Sequence, residues 1–211
     1  DAVIGDDLML LSDGAVVHFG ASKELTLTHV ADSGLTISHT AAGDGTAVTL
    51  TLNSGEEEMT VGEPVGKIDF KAGSETSGTD AILVCAGIEA VAADTFAADN
   101  NATTLVFKTA ASEAATGKVM IHPSGHLMPY SDDLCALGQA NYNWSDLYLA
   151  DSAVINLGDD QDVTLTHVAD TGLTMATAHA NGTNLRLNNT AGDGDCRVEL
   201  QLAGTTVWSV G

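Results

Sequence analysis

The sequence has few aromatic residues, few prolines and little positive charge. Of its 211 residues, 4% are aromatic, 3 are Pro, and 7 Lys or Arg face 29 Asp or Glu, so the formal net charge is −22. A nucleic-acid partner is not expected, because phosphate binding needs clustered Lys and Arg, and the same shortage disfavours attraction to an anionic membrane surface. We interpret the acidity as the charge of an exposed, mutually repelling surface.

Cysteine is also scarce. Cys85, Cys135 and Cys196 form an odd set without a C-x-x-C pattern, so neither a disulfide framework nor a thiolate metal site is predicted. We expect all three to be small buried hydrophobic residues. No apolar run reaches transmembrane length and no signal-peptide pattern is present, so no membrane insertion is expected. Because the first residue is Asp1 rather than Met, we expect a fragment or a processed product.

Small and β-branched residues make up much of what is present. The sequence is 44% hydrophobic, which is too apolar for intrinsic disorder. Small side chains nevertheless give little core volume per residue. We therefore expect the chain to complete its burial against other chains rather than within one globule.

One stretch of the sequence occurs twice. Residues 24–36 read ELTLTHVADSGLT and residues 162–174 read DVTLTHVADTGLT, so the two copies are 138 positions apart. Between 16–38 and 154–176 there are 12 identities over 23 positions. The sequence therefore predicts a duplicated module.

Strict alternation within the repeated stretch predicts β-structure. Leu25, Leu27 and His29 fall on one face of a strand and the intervening Thr residues on the other. The turn residues Asp32-Ser33-Gly34 then predict a hairpin. Helix is the competing prediction for the Ala-rich residues 80–93, where we favour a strand. The remaining strand predictions are 7–10, 15–20, 48–52, 59–62, 67–71, 83–91, 104–108, 118–121, 198–202 and 208–211.

These patterns predict an all-β protein of short antiparallel strands and hairpins arranged in repeated modules. We divide it into a first β-repeat module at 1–62, a unique β-module at 63–130, a linker at 131–149 and a second β-repeat module at 150–211.

Parts of the sequence resemble modules of tailed-bacteriophage fibre proteins. The residues Asp133-Leu134, Leu137-Gly138 and 143–149 (NWSDLYL) resemble a linker of the general form D-x-x-L-G-x-x-x-x-x-W-x-D-L-Y-L. The duplicated block resembles repeats in marine phage virion proteins. The middle segment is similar to another fibre module through 66–70, 88–90, 105–109, 120–121 and Gly125.

The resemblance implies an intertwined, elongated homotrimeric fibre or spike on an extracellular virion, which supports or forms attachment to a host receptor. The implied partners are copies of the chain itself, other virion proteins and a host surface glycan or protein, and we expect host contact at loops 93–104 and 178–189. Composition agrees with a shared core, whereas the trimer comes from the resemblance alone. The alternative is a bacterial surface adhesin or an extracellular filament subunit.

No catalytic motif is present. The sequence lacks Gly-x-Ser-x-Gly, a phosphate loop and His-Glu-x-x-His. A glycan depolymerase needs paired carboxylates in an aromatic-lined cleft, whereas the acidic residues here fall in predicted turns and few aromatic residues are available for sugar stacking. An enzyme acting on surface polysaccharide therefore ranks last, and we expect no enzymatic activity and no cofactor.

His29 and His167 occupy equivalent positions in the two copies. In a threefold assembly each would meet its symmetry mates near the axis, where a ring of imidazoles binds a metal or an anion. We favour the alternative, a core histidine bonded to a backbone carbonyl.

Two acidic clusters are candidate sites for a structural cation. The residues Asp159, Asp160 and Asp162, and separately Asp193 and Asp195, offer carboxylates for Ca²⁺. Neither run matches an EF-hand loop or a nonapeptide repeat. We therefore favour solvated turn carboxylates and predict no metal site.

Overall fold

The computed structural model describes residues 5, 8–40, 45, 47–73, 76, 78–178, 198–202 and 205–210. Over these residues the regular elements are antiparallel β-strands and one 3-10 turn, Asp80–Ile82, which confirms the all-β prediction. The strands are β1 (Val16–Phe19), β2 (Leu25–Val30), β3 (Gly34–His39), β4 (Pro64–Lys71), β5 (Val84–Ala92), β6 (Thr103–Thr109), β7 (Thr116–Ile121), β8 (Leu127–Pro129), β9 (Val154–Leu157), β10 (Val163–Val168), β11 (Gly172–Thr177), β12 (Val198–Leu202) and β13 (Thr205–Val210).

The chain divides into two compact units, Asp1–Leu137 and Gly138–Gly211. The first unit holds a three-stranded sheet, β1-β2-β3, and a five-stranded sheet, β4-β5-β6-β7-β8. The second unit holds a three-stranded sheet of β9, β10 and β11, and the hairpin β12-β13. In every sheet the neighbouring strands are consecutive in sequence.

The two three-stranded sheets pair their strands in the same register. Val16 lies opposite Thr28 in the first sheet, and Val154 lies opposite Thr166 in the second, each shifted by the same 138 positions. The repeated stretch therefore specifies strand pairing as well as strand formation.

The hairpin predicted near Gly34 is confirmed. The N–H of Ser33 donates to the carbonyl of Val30 at 3.0 Å, and Asp32 adopts a left-handed φ of 59°. Gly34 follows at φ 127°, a conformation that only glycine adopts without strain. The second copy makes the same turn, with Asp170 at φ 58°.

Sheet pairing also settles the competition between helix and strand at 80–93. Residues Val84–Ala92 form β5, which is bonded to β4 on one side and to β6 on the other. Ala is a weak strand former by itself, so the two neighbouring strands decide the outcome here.

Three predicted strands are wrong. Residues 8–10, 48–52 and 59–62 take no strand conformation. At 59–62 the backbone is bonded elsewhere, because Gly62 N–H donates to Ala92 at 2.8 Å and Phe96 N–H donates to Met59 at 2.9 Å. The predicted strands at 198–202 and 208–210 are present as β12 and part of β13.

The interior is very small. Among the residues whose burial is described, the buried apolar side chains are Met59, Ala92, Val106 and Ala115, and none of the large side chains is fully buried.

The prediction of buried cysteines is wrong for both cysteines that the structure describes. Cys85 and Cys135 are exposed, because no second layer covers their positions. Their thiols donate to the backbone carbonyls of Phe70, at 3.3 Å, and Lys118, at 3.5 Å. Cys196 lies outside the described residues.

A close approach between Gly117 and Tyr130 gives a stability prediction. A Cβ at Gly117 would lie 2.6 Å from the Tyr130 ring, so Gly117→Ala must displace that ring. We expect a loss of about 1–3 kcal/mol in the free energy of unfolding, measured by urea denaturation. In a Tyr130→Ala background the same substitution should be neutral or stabilising, because alanine is less costly than glycine in a strand. An equal loss in both backgrounds would show that the ring contact is not the cause.

Candidate interaction surfaces

One face of the five-stranded sheet is apolar across all its strands. The cross-strand register aligns Ile68 with Ile88, Phe107 and Val119 in one continuous row. A neighbouring row runs from Ala90 through Leu105 and Ile121 to Leu127. Side chains opposite one another in register point to the same side of a sheet. This apolar face comprises Gly66, Ile68, Phe70, Ile88, Ala90, Leu105, Phe107, Val119, Ile121, Leu127 and Pro129.

The apolar face is open to solvent. Phe70 is 52% exposed, and Ile68 and Leu127 are exposed as well. Leu52 lies against Gly66 at one side of the face, where any side chain at Gly66 would come within 3.1 Å of the Leu52 Cβ. Exposed apolar patches of this kind mark interaction sites in native proteins.

The opposite face of the same sheet carries charged side chains. Lys108 Nζ lies 2.9 Å from Glu89 Oε2, and these side chains are only 23% and 19% exposed. The hydrogen bond from Lys108 to Glu89 raises the Lys108 pKa, against a smaller lowering by burial. Lys67 Nζ lies 3.5 Å from Asp69 Oδ2 in a more exposed pair. The two faces of the sheet thus differ in chemistry, and among the described residues the apolar one has only partial cover, such as Leu52 at Gly66.

His29 and His167 lie on the apolar sides of their three-stranded sheets. His29 pairs with Leu35 in register, on the same side as Leu25 and Leu27. Both imidazoles are exposed, and His167 Nδ1 lies 3.6 Å from Asp151 Oδ1. Neither imidazole is buried in the single chain, and the favoured prediction of a core histidine bonded to a backbone carbonyl stays a prediction for an assembly of several copies.

His167 also lines an open hollow of about 280 Å³ in the second unit. The hollow is otherwise apolar, and its walls come from strands β9 to β11, from Ala150 and Ala153, and from Leu147 and Leu149 of the predicted linker. The linker therefore packs its leucines against the repeated sheet.

The acidic turn between β9 and β10 brings two carboxylates together. Asp160 Oδ1 and Asp162 Oδ1 lie 3.3 Å and 3.0 Å from the position of a Cβ on Gly158. Over the part of the chain that the structure describes, no group of three or more His, Cys, Asp or Glu side chains is placed to hold a metal ion. Asp159 does not complete such a group, and Asp193 and Asp195 lie outside the described residues. The favoured interpretation, solvated turn carboxylates without a metal site, stays a prediction.

The loop at 93–102 is held by side-chain hydrogen bonds. Asn100 Nδ2 donates to Asp94 Oδ2 at 3.2 Å and to the Thr95 carbonyl at 3.0 Å, while Ala102 N–H donates to Asn100 Oδ1 at 3.1 Å. This network was missed at the sequence level, although Asp and Asn in a loop are typical of such bonds. Of the other predicted contact loop, 178–189, only Ala178 lies within the described residues.

No helix among the described residues is long and apolar enough to cross a membrane. No protein-family model matches the sequence, and no curated protein matches it.

Two solved structures are similar to part of the chain. One is the carboxy-terminal domain of the bacteriophage T5 L-shaped tail fibre, at 18% identity, a TM-score of 0.38 and coverage of 55% of this chain and 44% of that one. The other is the same domain with its intramolecular chaperone domain, at 18% identity, a TM-score of 0.41 and coverage of 62% and 35%. The chain thus spans less than half the length of either structure.

The ion pair between Lys108 and Glu89 gives a pH-dependent prediction. We expect Glu89→Gln to lower the free energy of unfolding by about 1 kcal/mol near pH 7. Because the folded-state pKa of Lys108 is raised above its ordinary 10.5, this stability is fully present below pH 10.5 and is lost as pH rises through the raised value. Urea denaturation across this pH range should show the free energies of unfolding of the wild type and of Glu89→Gln converging. Asp69→Asn, at the more exposed pair, is the control and should cost less than about 0.5 kcal/mol.

The exposed histidines give a second prediction. His29→Leu and His167→Leu should leave the assembly state unchanged, because leucine continues the apolar side on which each residue lies. Sedimentation velocity of both variants beside the wild type measures this. Loss of the assembled form would instead indicate a ligand held by the histidines.

Proposed function

We propose that this chain is a non-enzymatic structural segment of a virion fibre or spike, in which copies of the chain bury one another's apolar faces. The observation that carries the proposal is the open apolar face of the five-stranded sheet, on which Ile68, Phe70 and Leu127 are 45%, 52% and 69% exposed. The linker motif ending in Trp144-Ser145-Asp146-Leu147-Tyr148 and its resemblance to phage fibre linkers supply the biological setting.

The apolar face is the main surface of contact between copies. Burying one Ile, Leu or Phe side chain contributes about 1.5–3 kcal/mol. Burying several of them in each copy outweighs the loss of translational and rotational freedom on association, which is about 4–15 kcal/mol. The number of copies is three, as the resemblance to trimeric fibres implies.

Electrostatics select which face turns inward. A net charge of −22 on each copy makes close approach unfavourable except where the contact is apolar. The apolar face carries no acidic residue, whereas Asp69 and Glu89 stand on the opposite face with their lysine partners. That opposite face therefore remains toward water in the assembly.

Attachment to a host surface takes place at exposed loops. The loop at 93–102 is fixed by Asp94 and Asn100, so it presents its polar groups without a large ordering cost on binding. A surface glycan or a surface protein is the receptor class in this role.

The oligomeric state and the face that forms the contact are tested together. Sedimentation equilibrium of the wild type should give a trimer. The double variant Ile68→Asn and Phe70→Asn should dissociate at least tenfold more readily, because both residues lie on the apolar face. Lys67→Asn, on the other face of the same strand, is the matched control and should assemble like the wild type.

A wild type that remains monomeric at micromolar concentration would overturn the shared-core role. Equal dissociation of the two variants would contradict the assignment of the face. Release of reducing ends from host surface polysaccharide would overturn the non-enzymatic part of the proposal.

A further inference from the structure

Residues 48–52 have the sequence of a β-strand but form none. They read Val48-Thr49-Leu50-Thr51-Leu52, the same alternation of Thr and large apolar residues that builds β2 and β10. The three apolar side chains are exposed, and Leu50 has 66% of its surface in water. Exposed alternating residues of this kind fit a strand whose neighbour is missing.

The backbone of this segment is unpaired. Within the described part of the chain, none of the N–H or C=O groups of residues 47–53 has a hydrogen-bond partner. The strands β2, β5, β6, β7 and β10 each pair on both sides. A run of free backbone groups beside apolar side chains is a template for pairing with another strand.

The natural partner within the chain is engaged elsewhere. Residues 59–62 follow the segment after a turn, yet Gly62 donates to Ala92 and Met59 accepts from Phe96. Thr60 N–H donates to the Glu63 carboxylate at 2.7 Å. By contrast, the corresponding runs near the end of the chain pair with one another as β12 and β13. These bonds compete with a hairpin between 48–52 and 59–62.

We propose that residues 48–52 form a β-strand against a second copy of this chain. The inference rests on the self-association described above and adds the segment through which the copies exchange backbone hydrogen bonds. A second copy is favoured over an unrelated protein because Leu52 already lies against Gly66 on the apolar face. Pairing there extends the same contact surface without a break.

Proline substitution tests the missing hydrogen bonds. Thr51 N–H has no partner within the described chain, so Thr51→Pro removes no hydrogen bond of the single copy, whereas it removes a donor from an intermolecular strand. Thr49→Pro likewise removes an N–H donor, two residues earlier and on the same edge of the strand. At least one of Thr49→Pro, Leu50→Pro and Thr51→Pro should raise the dissociation constant at least tenfold in sedimentation equilibrium. Thr49→Val and Thr51→Val retain the N–H and strand propensity, and should stay within about twofold of wild type.

Amide hydrogen exchange provides a measurement that needs no variant. In the assembled wild type, alternate amides of residues 48–52 should exchange at least 100-fold more slowly than in the dissociated chain, because a strand with one neighbour donates every second N–H to it. Far-UV circular dichroism of the proline variants checks that their β-sheet content matches that of the wild type, as expected if the strands of the single copy still form.

The outcomes separate the two proposals. Suppose that the wild type assembles but its amides at 48–52 exchange fast, and that the proline variants also assemble normally. This result would overturn the intermolecular strand and leave the proposed fibre role standing. A monomeric wild type would overturn both. Slow exchange that persists in the dissociated chain would place the strand within one copy and also reject the inference.

Discussion

Antiparallel pairing joins the backbones of the strands within each sheet but leaves many apolar side chains without a partner layer. A sheet has two faces, and a stable domain must cover the apolar one with another sheet or a helix. The five-stranded sheet presents Ile68, Phe107 and Ile121 on a face where each of them is exposed. The described interior is sparse because the described residues supply no complete layer over this face. In the assembly we propose, other copies of the chain supply it.

The sequence was a good guide to strands wherever alternation coincided with a nearby partner. The motif at 25–30 and its return at 35–37 form a hairpin because Asp32 and Gly34 provide the turn. The same alternation at 48–52 failed, since a pattern of side chains indicates which faces a strand would have and not whether another strand is available. The prediction of a buried Cys85 failed for a related reason. An apolar neighbourhood in sequence leads to burial only when a second layer exists.

The surface chemistry was less accessible from the sequence than the fold. Lys108 and Glu89 are 19 residues apart and meet only because β5 and β6 pair in one particular register. Asp94 and Asn100 are close in sequence, yet their bond depends on the path of the loop between them. The apolar face was implicit in the alternation of β4 to β8. Recognising it as one continuous surface required the cross-strand alignment of all five strands.

The order of strands within each sheet has a consequence for how the protein is made. Every sheet pairs strands that follow one another in sequence, so each contact closes a short loop. Low contact order of this kind favours rapid folding even in a β-protein. Each sheet can therefore form by itself during synthesis. In the assembly that we propose, alignment of one copy with another is a separate, later event. Its biogenesis comprises a local step governed by turns and a slower step governed by protein concentration.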